Sequence, residues 1–97
     1  GDMAIRTTET FAIWLDELRD LRARARVQAR IERLAGGNAG DMKPVGEGVS
    51  EMRIDYGPGY RVYFTRQKRE LIVLLAGGDK STQAADIKTA LRLVREL

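Results

Sequence analysis

Two short runs of alternating apolar and polar residues flank a Gly-Pro-Gly turn, and this pattern constrains the fold more than any other feature of the chain. The runs cover residues 49–55 and 60–65, and the turn is residues 57–59. Strict alternation is typical of a strand with one buried face, and the glycines permit the backbone angles of a tight turn. The sequence therefore predicts an antiparallel hairpin. Its apolar face comprises Met52, Ile54, Tyr60, Val62 and Phe64.

The other face of this hairpin is predicted to be polar. It carries Glu51, Arg53, Arg61 and Tyr63. Residues of one parity share a face, so strand pairing is expected to bring these four side chains together. Two interpretations stay open: a cross-strand ion network on a solvent-facing sheet, or a floor that binds phosphate. Arginine suits the second role because its planar guanidinium stays charged and can hold a phosphate with two hydrogen bonds.

Apolar periodicity predicts three helices. The first covers residues 10–21, with Trp14 expected in the core, and the second ends at the glycine pair 36–37. No Pro or Gly marks residues 18–22, where we favour a break between these two helices. The third helix is expected to be capped by Ser81 or Thr82 and to run to the end of the chain.

The remaining strands complete an α+β domain. Residues 3–7 alternate weakly, residues 42–45 begin extended structure, and residues 71–76 are continuously apolar, as in a strand covered on both faces. The predicted order is β-α-α-β-β-β-α, with a mostly antiparallel sheet that packs two N-terminal helices and a C-terminal helix against its apolar face. Residues 3–97 are expected to form a single domain, with residues 1–2 left from an expression tag.

Composition excludes several classes of site. The 97 residues include no cysteine and no histidine, so disulfides and thiolate or imidazole metal ligands are impossible. We predict no metal and no cofactor. No apolar run is long enough to span a membrane and no secretory signal is recognisable, so a cytoplasmic location is expected. The formal charge of +3 is compatible with a polyanionic partner, although it does not identify one.

Arginines form a stripe along the second predicted helix. Residues 19–33 contain six arginines against two acidic residues. The steps of four, four and three residues place the following side chains on one flank: Arg22, Arg26, Arg30 and Arg33. This flank is either a solvated surface or a docking surface for an acidic partner, or it contacts phosphate groups directly.

A glycine-rich turn with a lysine follows the continuously apolar strand. Its sequence is G-G-D-K-S, residues 77–81, and it opens the last predicted helix. Backbone N–H groups and Lys80 are able to meet an anion at such a place. The spacing is not that of a Walker loop, so triphosphate binding is not expected, and a plain strand-to-helix turn is the alternative reading.

Long motifs make the chain resemble a known family. K-P-V-G-E-G-V-S-E-M-R-I-D-Y-G-P-G-Y-R-V-Y-F, followed by G-G-D-K-S-T-Q-A-A-D-I, is similar to the addiction-module killer proteins of the HigB branch of the RelE/ParE toxin superfamily. The N-terminal W-L-D-E-L-R-D-L-R-A-R-A-R fits the same group. The resemblance implies the toxin of a type II toxin-antitoxin system, a helix-turn-helix antitoxin as partner, and helices packed on an antiparallel sheet.

Many members of the superfamily are metal-independent endoribonucleases that cut mRNA on the ribosome. By this resemblance, Arg53 and Arg61 hold the scissile phosphate, and Lys80 stabilises the leaving 5′-oxygen or supplies its proton. Glu51 is the candidate base for the 2′-hydroxyl, and Tyr63 is expected to stack on a base or orient a phosphate. Relatives that use histidine have no counterpart here, which leaves the acid-base chemistry open.

Two other functions stay open at this stage. The chain is alternatively a non-enzymatic poison of DNA gyrase, as in the ParE branch, or a non-toxic relative that binds an antitoxin. Two arginines across one hairpin favour the ribonuclease, because a poison that acts through protein contacts has no need of them.

Overall fold

Five strands form one sheet in the computed structural model, which describes residues 2–97. The sheet order is β1-β5-β4-β3-β2. β1 and β5 pair in parallel, and the three other pairs are antiparallel, so the predicted fold class is confirmed. The strands are β1 (Ala4–Thr7), β2 (Met42–Gly46), β3 (Val49–Ile54), β4 (Tyr60–Gln67) and β5 (Leu71–Gly78).

Three helices accompany the sheet: α1 (Glu9–Glu17), α2 (Leu21–Ala35) and α3 (Gln83–Val94). The favoured break between the first two is present, and its signal is Asp20, whose carboxylate accepts hydrogen bonds from the backbone N–H groups of Arg22 and Ala23. Across residues 2–97, none of the helices combines the length and apolar character needed to cross a membrane.

The start of α3 differs from the prediction. A 3₁₀ turn, Lys80–Thr82, precedes the helix, and Asp79 caps that turn by accepting from the backbone of Ser81. Thr82 is the N-cap residue of α3, one of the two predicted, but its side chain does not cap the helix backbone, because its hydroxyl donates to the Asp86 carboxylate instead. The consequence is a short, tightly held segment that carries Lys80 between β5 and α3.

The sheet is covered on both faces, which corrects the prediction that helices pack on one apolar face. α1 and α2 cover the face that contains Met52 and Val62, and Trp14 packs half-buried against that core. α3 covers part of the other face. The buried residues beneath α3 are Val49, Tyr63, Val73, Leu75 and Ala76, with Ala90 from the helix itself.

Residues 42–46 form a strand of their own, which the predicted order of elements omits. Residues 47–48 form the turn to β3, and the φ angles of residues 46, 47 and 48 are all positive, at 113°, 52° and 78°. Glycine adopts such angles without strain, and two of the three residues are glycine. β2 lies at one edge of the sheet, next to β3. Pro44 within it has no backbone N–H, which reduces the number of donors free to pair with another chain.

Candidate anion-binding cleft

Strand register places the two hairpin arginines directly opposite each other. Arg53 on β3 pairs with Arg61 on β4, and Glu51 pairs with Tyr63 two positions away. The parity prediction is therefore correct: Arg53 and Arg61 share one face, while Met52 and Val62 point into the opposite core. Residues directly opposite in an antiparallel pair have Cβ atoms about 4.5–5.5 Å apart, so two cationic side chains leave the sheet from adjoining points.

Lys80 reaches the same place from a different part of the chain. Gly59 ends the hairpin turn with φ of +80°, and a Cβ built there would lie 3.5 Å from Nη1 of Arg61 and 3.6 Å from Cβ of Lys80. The turn thus lies against the guanidinium of Arg61 and the base of the Lys80 side chain. A cleft of about 340 Å³ opens between these groups. Its lining residues are Asp41, Arg53, Ile54, Asp55, Gly59, Arg61 and Lys80.

Arg53 is paired within the cleft. Its Nε and Nη2 atoms donate to Oδ1 of Asp41, at 3.2 and 2.7 Å, and its backbone N–H donates to the carbonyl of Asp41 at 2.8 Å. The side chains of Arg53 and Asp41 are 36% and 61% exposed. Because water screens an ion pair so exposed, an incoming phosphate can displace the carboxylate at small cost.

Arg61 is more enclosed, with 13% of its side chain exposed. Nη1 donates to the carbonyl of Gly59 at 3.3 Å, and Nε lies 3.9 Å from Oε1 of Glu51, beyond hydrogen-bond distance. Both Nε and Oε1 are buried, and neither finds a hydrogen-bond partner within the part of the chain that the structure describes. A carboxylate and a guanidinium therefore face each other at close range beneath the cleft.

Glu51 and Tyr63 lie where parity places them, but both side chains are fully buried beneath α3. Oε2 of Glu51 accepts from the Tyr63 hydroxyl at 3.0 Å and from Nε2 of Gln83 at 2.7 Å. Burial, followed by the negative charge of Glu51, raises the pKa of Tyr63 above its ordinary value, so the phenol stays protonated and donates.

This burial corrects two predicted roles. A base that accepts the proton of an RNA hydroxyl must reach it, and Glu51 has no exposed surface. A ring that stacks on a nucleobase must offer a free face, and the ring of Tyr63 lies in the core under α3. Alternation identifies the face on which a side chain lies, but it does not reveal that a helix covers that face.

The arginine stripe divides into one structural residue and three exposed ones. Arg30 is half-buried: its Nη1 donates to the carbonyl of Arg53 at 2.6 Å and its Nη2 to that of Ala39 at 2.9 Å. Burial lowers the pKa of Arg30 from its ordinary value. Arg30 therefore helps to fix the loop before β2, and its contact with an antitoxin or RNA stays a prediction. The exposed members are Arg22, Arg26 and Arg33.

A second cleft, of about 320 Å³, lies beside the first along α2. The guanidinium of Arg26 sits 4.7 Å from the ring centre of Tyr56, a cation-π contact that orients it at the rim. Ile54 and Asp55 line both clefts, so the two are adjacent. The second cleft is lined by Arg26, Ala29, Arg30, Arg33, Ile54 and Asp55.

Neither periodicity nor motif spacing points to two residues of the site. Asp41 lies in a loop without periodicity and meets Arg53 twelve positions later. Gln83 lies in the family-like motif, where the sequence assigns it no role, and it is the first residue of α3. Its contact with Glu51 spans 32 positions and depends on how α3 docks on the sheet.

Comparison with known proteins identifies relatives of this chain. Residues 14–95 match the family described as "Phage derived protein Gp49-like (DUF891)". A protein of Haemophilus influenzae, itself uncharacterised, is 56% identical over 93 residues, which cover 96% of this chain and 94% of the relative. The fold matches an arginine-to-alanine mutant of the E. coli toxin RelE in the free state, with a TM-score of 0.75 and 9% identity over 100% of this chain and 99% of the other.

Proposed function

This chain belongs to the phage-derived Gp49-like family and has the fold of the RelE toxin, and we propose that it is the toxin of a type II toxin-antitoxin pair. The family match and the fold support a place in the RelE/ParE superfamily without distinguishing the HigB branch. More specifically, we propose a metal-independent endoribonuclease that cuts mRNA on the ribosome. Its action belongs in the cytoplasm, where translating ribosomes are found.

The observation that carries this proposal is the convergence of Arg53, Arg61 and Lys80 on one cleft. Cleavage of RNA without a metal proceeds when the 2′-oxygen forms a bond to the adjacent phosphorus and the bond from phosphorus to the 5′-oxygen breaks. Negative charge grows on the non-bridging and leaving oxygens. Fixed cations that face those oxygens lower the barrier by electrostatic stabilisation and by holding the attacking geometry.

We assign roles by position in the cleft. Arg61, enclosed and held from below, binds one non-bridging oxygen, and Arg53 binds the other after exchanging its contact with Asp41 for the phosphate. Lys80, which is exposed, neutralises the 5′-oxygen or donates its proton. The proton of the 2′-hydroxyl passes to solvent or to a carboxylate of the cleft, Asp41 or Asp55, because Glu51 is out of reach.

The second cleft offers a means of neutralisation by an antitoxin. Arg26 and Arg33 line it and are exposed, so an acidic segment of an antitoxin finds complementary charge there. Because Ile54 and Asp55 line both clefts, a chain bound in the second would obstruct the entrance to the first. The proposed partners are thus a helix-turn-helix antitoxin, the ribosome and its message.

Induced expression with and without the adjacent gene tests the proposal. We expect growth arrest without that gene, relief with it, and new message ends that bear a 5′-hydroxyl and a 2′,3′-cyclic phosphate. Stalled gyrase-DNA complexes with intact mRNA would instead identify a gyrase poison. Normal growth with folded protein present would identify a non-toxic relative, and either result would overturn the ribonuclease proposal.

A further inference from the structure

Gln83 connects the start of α3 to the fully buried carboxylate beneath the cleft. Its Nε2 donates to Oε2 of Glu51 at 2.7 Å, and the Tyr63 hydroxyl donates to the same oxygen at 3.0 Å. Gln83 is partly buried and is outside the set of residues that line the cleft. It is therefore placed to act on the site through Glu51, without touching a bound RNA.

Two donors on one carboxylate oxygen leave the other oxygen available to Arg61. Oε1 of Glu51 lies 3.9 Å from Nε of Arg61, and neither atom has a hydrogen-bond partner among residues 2–97. Rotation of the carboxylate would break both hydrogen bonds, of which the one from Tyr63 is fully buried and therefore costly to lose. Oε1 is thus held in one position, and its charge fixes where the guanidinium of Arg61 rests.

The same hydrogen bond fixes the segment that carries Lys80. Gln83 follows the 3₁₀ turn directly, and the Asp79 cap and the bond from Thr82 to Asp86 make this turn a compact unit. Anchoring its C-terminal end at Glu51 therefore limits where Lys80 lies. Glu51 is thus linked to two of the three cations of the cleft: to Arg61 through charge, and to Lys80 through Gln83.

We infer that Gln83 is a positioning residue for the cleft: it holds Glu51 so that Arg61 and Lys80 stand ready for one phosphate before RNA binds. Tyr63 also holds Glu51 for Arg61, because its hydroxyl donates to the same carboxylate oxygen, but Tyr63 is not part of the segment that carries Lys80. The catalytic part of this inference rests on the proposed function. The geometric part concerns the protein alone.

Two test variants and one control variant examine the inference in free protein. Nitrogen-15 NMR follows the Nε–H of Arg61 and the backbone N–H of Lys80. Gln83→Ala is expected to shift or broaden both signals, whereas Tyr63→Phe, which leaves one donor on Glu51, is expected to shift that of Arg61 alone. Gln67→Ala, at the far end of β4, is the matched control and is expected to move neither. Both test variants retain one donor to the carboxylate, and thermal unfolding verifies that they fold.

Kinetics on ribosome-bound message supply the second measurement. We expect Gln83→Ala to lower kcat by roughly ten- to a hundredfold with little change in KM, the size of loss that misplacement of reacting groups by about 1 Å produces. A purely structural role would lower kcat only in proportion to the folded fraction. Gln67→Ala is expected to retain the wild-type kcat.

The two proposals fail in different ways. Wild-type protein that cuts no message overturns the proposed function, and the NMR comparison still decides whether Gln83 positions the two cations. Unchanged Arg61 and Lys80 signals in folded Gln83→Ala protein would overturn the positioning inference even if the enzyme is active. Altered signals with wild-type kcat would overturn its catalytic part.

Discussion

Replacing Gly77 by alanine should destabilise the fold, because the indole ring of Trp14 lies directly on this glycine. A Cβ at Gly77 would fall 2.2 Å from Cε3 of Trp14, with two further ring atoms at 2.4 and 2.5 Å. Ordinary contact between carbon atoms begins at about 3.5 Å, so the ring or the strand must move by roughly 1 Å. A rigid ring cannot yield as the end of a flexible side chain does.

The surroundings of Trp14 leave it little room to move. Its ring centre is 5.6 Å from that of Phe11, which is fully buried, and 6.3 Å from that of Tyr60 at the start of β4. Overpacking of this kind costs about 1–3 kcal/mol. For a domain of this size each kcal/mol lowers the melting temperature by about 4–8 °C, so Gly77→Ala is expected to melt roughly 4–24 °C below wild type.

Thermal unfolding followed by circular dichroism measures this difference. Gly36→Ala is the matched control: its φ is −79°, and the nearest atom to a built Cβ is 3.5 Å away, so alanine is expected to be neutral or to stabilise by about 0.4–1 kcal/mol. Trimming the ring with Trp14→Leu should restore part of the loss in the double variant. Equal melting temperatures for Gly77→Ala and wild type would refute the reasoning.

Three further predictions concern the cleft and its supports. Asp41→Asn removes the carboxylate that competes with RNA phosphate for Arg53. An exposed ion pair is worth about 0.2–1 kcal/mol, so RNA should bind roughly 1.5- to 5-fold more tightly in a fluorescence titration. Weaker binding would contradict the proposal that Arg53 exchanges Asp41 for a phosphate. Arg30→Ala removes charge-assisted bonds to two carbonyls and should lower the free energy of unfolding by about 1.5–3 kcal/mol in urea. Arg22→Ala, its exposed control, should stay within about 0.5 kcal/mol of wild type, and equal losses in the two variants would count against a structural role for Arg30. Folding raises the pKa of Tyr63, so the stability that its protonated phenol contributes is complete below the unfolded pKa of about 10 and is lost as the pH rises above it. The free energy of unfolding should therefore fall less steeply at alkaline pH in Tyr63→Phe than in wild type. An unchanged slope would argue against a buried phenol.

The hairpin shows what local pattern is able to predict. A strand has a period of two residues, so the relative faces of Arg53, Arg61 and Val62 follow from their spacing once the turn is recognised. The break before α2 also has a local signal, which is Asp20: its side chain caps the N-terminus of α2, so the break needs no Pro or Gly.

The remainder of the site depends on contacts between distant parts of the chain. Whether Glu51 and Tyr63 meet solvent depends on α3, which docks on their face from the far end of the sequence. The role of Arg30 depends equally on the loop before β2. A Cβ at Gly40 would lie 2.8 Å from Nη2 of Arg30, and the glycine, with φ of +66°, leaves room for that guanidinium. No spacing within α2 encodes such a contact.

Cleavage of a ribosome-bound message by purified protein, with Arg61→Ala beside wild type, tests the central claim most directly. Arg66→Ala is the matched control, since it removes an exposed arginine from the other end of the same strand. We predict that wild type and Arg66→Ala produce fragments with 5′-hydroxyl ends, and that folded Arg61→Ala produces none. Cleavage by Arg61→Ala at the wild-type rate would contradict the account.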